Sequence, residues 1–466
     1  MRLTFEQLNV IKKKMNVEQL WSFSKYSTFS QCSWLYKLKY IDKIKVKGDS
    51  CYTYFGSIAH DVIQDFYDGK HTYEQMIDKF EQSVLDWQVK ADPKLAFPSD
   101  NVRDGYIDNL RHYFKHTAKI PYKVVNEKAI MAVFEGIEKY VFQGYIDSEY
   151  VDENGVLTIL DYKTSSISGF SGAKLLEKSY QLMVYTMAIV RNGRMVDGKM
   201  RQFTLDKIRI RYDMMKYVNV TFRLKNGTEK VTKAERREWV KHIEKKITKD
   251  FQDVRKDIEK LQKDIGKLER KIKMKKTTPE EAEGYQVEIS AIEEQIAQLK
   301  PYEMEDFEIT PLVQTAIEEN TLESLPEFIQ EKYSVDNCYI DVELTQDIID
   351  DFEKSLVSTL DTIVKKTAED NPNEAFDRER IGNEDSFYCN TLCDMKDHCK
   401  FYEDYKAHSA MFVDQPDEKA EEDILAMLGL GWYTLGKGVK LEESVKTSLK
   451  IANNQRNLWL FLCALV

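Results

Sequence analysis

Residues 141–164 constrain the fold of this chain more tightly than any other stretch. Val141-Phe142-Gln143-Gly144-Tyr145-Ile146 and Val156–Leu160 are short apolar and aromatic runs. Between them stands Asp152-Glu153-Asn154-Gly155, whose residue types suit a hairpin turn. Asp147 follows the first run, and the second ends in Asp161-Tyr162-Lys163-Thr164. Two paired strands of this kind carry two carboxylates and one ammonium at their ends. Phosphodiester hydrolysis calls for such groups: anionic oxygens for a hard divalent cation, and a positive charge beside the attacking water. A surface hairpin with chance charges is the competing reading, since Asp-Tyr-Lys is an ordinary string in a Lys-rich chain.

The pattern around the hairpin predicts a mixed α/β core. Residues 1–50 and 51–120 read as helical, and Gly56-Ser57-Ile58-Ala59-His60 opens a helix with Ile58, Val62, Ile63 and Phe66 on one face. Residues 174–191 return to helix, and Ile208–Tyr212 and Val218–Phe222 read as two further strands. Helices, strands, helix and strands in that order suggest a mixed central sheet flanked by helices.

At 466 residues the chain has room for two or three domains. A net charge of −11 argues against coating nucleic acid non-specifically, yet allows a locally basic groove. Lysines gather in residues 1–50, as a solvated face or as a nucleic-acid contact. No signal peptide or membrane-length apolar run is visible, so a cytoplasmic protein with no membrane partner is expected. Seven cysteines there do not imply a disulfide framework.

Residues 233–300 differ from the rest. Ile243, Ile247, Phe251, Val254, Ile258, Leu261, Ile265, Leu268 and Ile272 recur at steps of four and three, a heptad seam. Thr278-Pro279-Glu280-Glu281 then restarts a helix, with a capping threonine and a proline at the first helical position. Tyr285, Ile289, Ile292, Ile296 and Leu299 continue the stripe. The expected element is an antiparallel coiled-coil hairpin inserted into the core. It reads either as an arm for a partner or DNA, or as a structural arm packed on its own domain. The expected division is 1–232 and 301–410 for the two parts of the core, 233–300 for the hairpin, and 411–466 for a loosely attached tail.

Three further motifs are weak singly. Gly56-x3-His60 sets a histidine on a helix, and Gln181-x3-Tyr185 sets two side chains on one helical face. Cys389, Cys393 and Cys399 lie within eleven residues, and Cys32 stands far upstream. Thiolates at these spacings can wrap a metal, though not with the Cys-x2-Cys knuckle of a typical zinc ribbon. Four cysteines split one plus three fit a cubane iron–sulfur cluster; zinc and plain thiols remain open alternatives.

In combination, Cys32, Gly56-x3-His60, Gly144-x2-Asp147, Asp161-x-Lys163, Gln181-x3-Tyr185 and Cys389/Cys393/Cys399 resemble the iron–sulfur branch of the PD-(D/E)XK nucleases. That branch includes RecB-type exonucleases, the AddB nuclease domain and the exonuclease V group. The motifs cover residues 24–223 and 385–402. The resemblance implies that His60, Asp147 and Asp161, with the Tyr162 carbonyl, hold Mg2+ or Mn2+, and that Lys163 is the catalytic lysine. Gln181 and Tyr185 would position the DNA strand and the lysine. Cys32, Cys389, Cys393 and Cys399 would hold a [4Fe–4S] cluster. Glu127 is the loosest of these matches. Two features depart from the family pattern: Ser33 where proline often stands, and Cys-x3-Cys in place of Cys-x2-Cys.

The activity implied is a metal-dependent DNA exonuclease of recombination, repair or replication, acting on single-stranded or duplex ends. The alternative is a non-catalytic adaptor that binds DNA ends and recruits a helicase or recombination protein through the 233–300 hairpin. No Gly-x4-Gly-Lys-Ser/Thr loop occurs, so any motor would come from a partner. The Lys- and Asn-rich composition suits a phage or a low-GC bacterium, which would put a phage protein in the host cytoplasm.

Overall fold

The computed structural model describes residues 3–46, 50–224 and 226–409. The tail 411–466, including the apolar Leu458–Val466, lies outside the described residues. The chain divides into two units, Met1–Arg378 and Glu379–Val466.

The first unit opens with six helices: α1 (Phe5–Met15), α2 (Phe23–Gln31), α3 (Ser33–Tyr36), α4 (Cys51–Tyr67), α5 (Gln75–Lys90) and α6 (Asp100–His116). Several start where a short polar side chain satisfies an orphan amide: Thr4 with Gln7 forms a capping box, and Ser50 and Ser99 cap α4 and α6. Strands β1 (Val125–Glu135), β2 (Lys139–Val151) and β3 (Leu157–Lys163) follow as an antiparallel meander. Helix α7 (Gly172–Asn192) and a two-stranded ribbon, β4 (Arg194–Val196) and β5 (Lys199–Arg201), lead to β6 (Ile208–Arg223), which lies parallel to β3. Strand β7 (Glu229–Glu235) pairs with β6, and after α8 (Trp239–Ile272), α9 (Pro279–Leu299), α10 (Asp306–Glu319) and α11 (Glu327–Gln330) strand β8 (Tyr333–Val342) also pairs with β6. Helix α12 (Gln346–Thr367) follows.

Both faces of β3 are covered, which is why Leu157–Tyr162 are all buried and apolar residues occupy both of its faces. Ile159 packs in a cluster with Met183 and Leu182 of α7, Tyr26 of α2 and Phe352 of α12. Leu160 and Tyr162 pack on the other side among Phe55, Ile63, Phe80 and Leu110 of α4, α5 and α6.

The two strands expected at Ile208–Tyr212 and Val218–Phe222 are one strand. The link between them is an irregularity, where pairing with β8 jumps from Asp213↔Tyr339 to Val218↔Asn337. Met214 and Met215, fully buried, carry the apolar pattern across it. Strand β8 runs along one edge of β6 on both sides of this bulge, so β3 and β7 share the opposite edge end to end.

The 239–299 segment forms two helices joined by a short turn, and Thr278 and Glu281 make the expected capping box. Its apolar stripe has two uses. Trp239, Val240, Ile243, Ile247 and Phe251 pack against Val218 and Val220 of β6 and Ile309 and Val313 of α10. Beyond them, Val254, Ile258 and Leu268 of α8 and Ile289 of α9 are buried. The root of the arm is therefore part of the folded body. Its fixing is polar as well: the Trp239 indole donates to the Asn320 carbonyl at 3.0 Å, and the Asn320 amide donates to the Arg236 carbonyl at 2.7 Å.

No described helix is long and apolar enough to cross a membrane.

Candidate active site

Pairing between β2 and β3 ends at Ser148↔Leu160. The next facing positions are Asp147 and Asp161, so the two carboxylates stand opposite each other where the strands part. Glu127 extends the row. It falls between the pairs Asn126↔Ser148 and Lys128↔Ile146, opposite Asp147, with a left-handed backbone, φ 47°. An L-residue held there stores about 1–2 kcal/mol of strain, a feature that clusters at functional sites.

The charges of this row govern one another. The Asp147 carboxyl is pushed up to about 6, first by burial and then by the charge of Asp161, with Glu127 adding to it and His60 and Lys163 opposing. Lys163 ion-pairs with Asp161 Oδ2. Burial works against its charge, but the Asp161 carboxylate, by charge and hydrogen bond, and Asp147 outweigh that and hold Lys163 above the ordinary lysine range.

Helix α4 supplies His60. Its Nε2 donates to the Tyr162 carbonyl at 2.9 Å, while Nδ1 sits 3.4 Å from Asp147 Oδ2. Gly56, one turn earlier, lies under the end of β3, where a Cβ would stand 3.5 Å from Thr164 Oγ1. A side chain would make only ordinary contact there, so what the Gly-x3-His spacing fixes is the imidazole, presented one turn on from the strand end.

Helix α7 supplies the opposite wall. Gln181 Nε2 donates to the Tyr185 hydroxyl at 2.8 Å. Tyr185 lies directly against Gly144: a Cβ at that position would be 2.4 Å from the hydroxyl oxygen. Glycine precedes Asp147 because the tyrosine ring occupies the space a side chain would need. Burial raises the Tyr185 pKa, which keeps the hydroxyl a neutral donor.

A divalent cation fits these groups. Asp161 Oδ2 is buried at the strand end with the Lys163 ammonium beside it, a hard anionic oxygen of the kind such an ion takes. His60 Nε2 and the Tyr162 carbonyl oxygen, 2.9 Å apart, keep the spacing, about 3 Å, of adjacent ligands at 2.0–2.1 Å around one octahedral ion. Among the described residues, no three His, Cys, Asp or Glu side chains are already drawn onto one point.

Cysteines occur in both units. In the first, Cys32 caps α3: its Sγ accepts from the Leu35 amide at 3.4 Å and from Arg378 Nη1 at 3.3 Å. N–H donors of this kind commonly surround a metal-bound sulfur. Nothing in the sequence pointed to Arg378, which lies 346 positions away. In the second, Cys389 is buried, and Cys393 and Cys399 are half-buried where two short helical turns end.

The site's motifs lie in a chain that matches the PD-(D/E)XK nuclease superfamily over residues 20–400. No curated protein matches it. Members of the superfamily usually hydrolyse phosphodiester bonds, typically with Mg2+ or Mn2+, and a nuclease implies DNA as substrate. The match takes in β2 and β3, the 239–299 helices and Cys389, Cys393 and Cys399. With most of its length matched, this chain belongs to the PD-(D/E)XK nuclease superfamily.

Proposed function

We propose that the protein is a metal-dependent DNA exonuclease that digests DNA from its ends in recombination, repair or replication. The observation that carries this reading is the meeting of Asp147 and Asp161 at the parting ends of β2 and β3, with Lys163 on one carboxylate and His60 beside the other. Asp147, Asp161, His60 and the Tyr162 carbonyl would hold Mg2+ or Mn2+, with Glu127 as a further carboxylate. When bound, the ion polarises water and offsets charge gathering on the scissile phosphate.

The remaining chemistry belongs to side chains. Water oxygen bonds to phosphorus as the P–O ester bond breaks; the attacking water gives a proton up to solvent, and the departing alkoxide takes one from solvent. Lys163 is cationic at neutral pH, so its role is to stabilise the negative charge of the transition state rather than to accept a proton. Gln181 and Tyr185 form a hydrogen-bonded pair on the α7 wall, suited to aligning a DNA strand. Cys32, Cys389, Cys393 and Cys399 hold a structural [4Fe–4S] cluster in this reading; the two N–H donors at Cys32 Sγ support it.

The test uses end-labelled linear DNA and a closed circle, with Mg2+ or Mn2+. The wild type shortens linear DNA from its ends and spares the circle. Asp161→Ala and Lys163→Ala lose at least about a hundredfold in rate. Either variant digesting as fast as wild type would overturn the assignment. A wild type that binds ends and releases no nucleotide with either cation would instead be the end-binding adaptor.

A further inference from the structure

The outward side of α8 carries a ridge of cations that the catalytic site does not use. Lys245, Lys249, Lys256, Lys260, Lys263 and Lys267 are all exposed. At 3.6 residues per turn they fall within a sector of about 60° and span about 33 Å of helix. The buried stripe of Ile243, Ile247, Phe251, Val254 and Ile258 faces the opposite way. Two of the six make one-turn ion pairs, Lys256 with Asp253 at 3.9 Å and Lys267 with Asp264 at 2.7 Å. Exposed pairs of that kind are worth less than about 1 kcal/mol and yield readily to a phosphate. The facing helix is charged the other way: Glu280, Glu281, Glu288, Glu293 and Glu294 are exposed on α9, which has no Lys or Arg along its length. Of the two helices, α8 thus carries all the Lys and Arg, in a chain of net charge −11.

The root of the arm stands at the active edge of the sheet. Strand β3 ends with Lys163 opposite Met214, and β7 ends with Glu235 opposite Tyr217 on the same edge of β6. A short path of contacts joins the two ends. Tyr106 of α6 neighbours Thr164. Lys216 lies 4.8 Å above the Tyr106 ring, and Arg237 packs against Gly105 beside it.

We infer that the outward ridge of α8 is a second DNA contact, a track for the phosphates of duplex lying outside the catalytic site. It extends the nuclease reading, which makes DNA the ligand. Duplex suits the ridge better than a single strand. Between residues 245 and 267 the sole aromatic is Phe251, buried on the far side, so nothing on the ridge can stack an unpaired base. Duplex also presents one charge per 1.7 Å, a denser polyanion, and 33 Å is about one turn of it.

The experiment is fluorescence anisotropy with the full chain in EDTA, across a salt series, on a 40-base-pair duplex, a 12-base-pair duplex and a 40-nucleotide single strand. A variant carrying Lys249→Gln, Lys256→Gln, Lys260→Gln and Lys263→Gln should bind the long duplex at least tenfold more weakly. Its slope of log affinity against log salt should be shallower by about 3.6, at about −0.9 for each of the four phosphates left unneutralised. The 12-base-pair duplex, long enough to cover the ridge, should weaken as well, the single strand should change less than threefold, and arginine at the same four positions should keep wild-type affinity. Unchanged affinity and slope in the glutamine variant would overturn the inference. So would an equal loss on single strand and duplex, or a loss of self-association with DNA binding intact, which would assign the ridge to a second copy. Binding is read without catalysis. Ridge-dependent binding by a chain that releases no nucleotide with Mg2+ sinks the nuclease reading alone, and cleavage with an unaltered salt slope sinks the ridge alone.

Discussion

Gly144 shows how one missing side chain builds the site. A methyl group there would meet Tyr185 at 2.4 Å from its hydroxyl and 2.6–2.7 Å from ring carbons, all closer than real contacts allow. Gly144→Ala should therefore cost about 1–3 kcal/mol by overpacking. In a Tyr185→Leu background most of that penalty should vanish, because the colliding ring is gone. Urea denaturation of the four proteins of this cycle measures the coupling, and additive losses would mean that the contact is not made. The sequence displayed Gly144, Asp147 and Tyr185 as separate motifs, with their types and spacing in plain view. It could not display that the first is glycine on account of the third, since the two meet only when α7 packs on β2. Glu127 is a similar case. Its left-handed backbone opposite Asp147 leaves no mark in the residue string.

At the scale of elements, α6, β6 and β8 share a buried polar layer beneath the sheet. The Tyr113 hydroxyl donates to Asp213 at 2.8 Å, and Arg236 Nη2 donates to Asn337 at 2.7 Å. His112 of α6 stays neutral, its pKa pressed to about 3 by burial first and then by Arg236. The unfolded chain takes up that proton near pH 6.5. Stability tied to neutral His112 is therefore complete above about pH 6.5 and is lost as pH falls toward about 3. Asp213 has the opposite sign. Burial raises it to about 6 despite Arg236 and Tyr113, so its contribution is full below about pH 4 and is lost as pH rises through 6. Asp213 is common to wild type and His112→Phe, so comparing the two isolates His112. Between pH 7 and pH 5 the wild type should lose about 1–2 kcal/mol more than the variant in urea melts. Equal losses would mean that His112 titrates normally in the folded protein. Helical periodicity announced α6, but the layer depends on β8, a strand that the acidic, mixed composition of 301–380 did not reveal.

At the scale of the whole molecule, the metal and cluster proposals have separate readouts. Mn2+ at a hundredfold excess over its dissociation constant should stabilise the protein by about 2.7 kcal/mol. Asp147→Asn with Asp161→Asn should abolish the rise in melting temperature, and an undiminished rise would move the ion elsewhere. Anaerobic purification should yield a brown protein absorbing near ~400 nm, with the colour lost in Cys32→Ser and in Cys393→Ser. A colourless wild type with stoichiometric zinc would remove the cluster. By itself the sequence determined the strand pair, the helix caps, the two arm helices and the residue types of the site. Each of these rests on local physics: side-chain period, turn chemistry and capping within a few residues. Tertiary structure alone decided that His60 reaches Tyr162 across 102 positions, and that the arm's root belongs to the folded body. It also decided that β3 and β7 lie end to end on β6. Those outcomes depend on which buried faces find each other, and a periodic stripe states that a face will be buried without naming its partner.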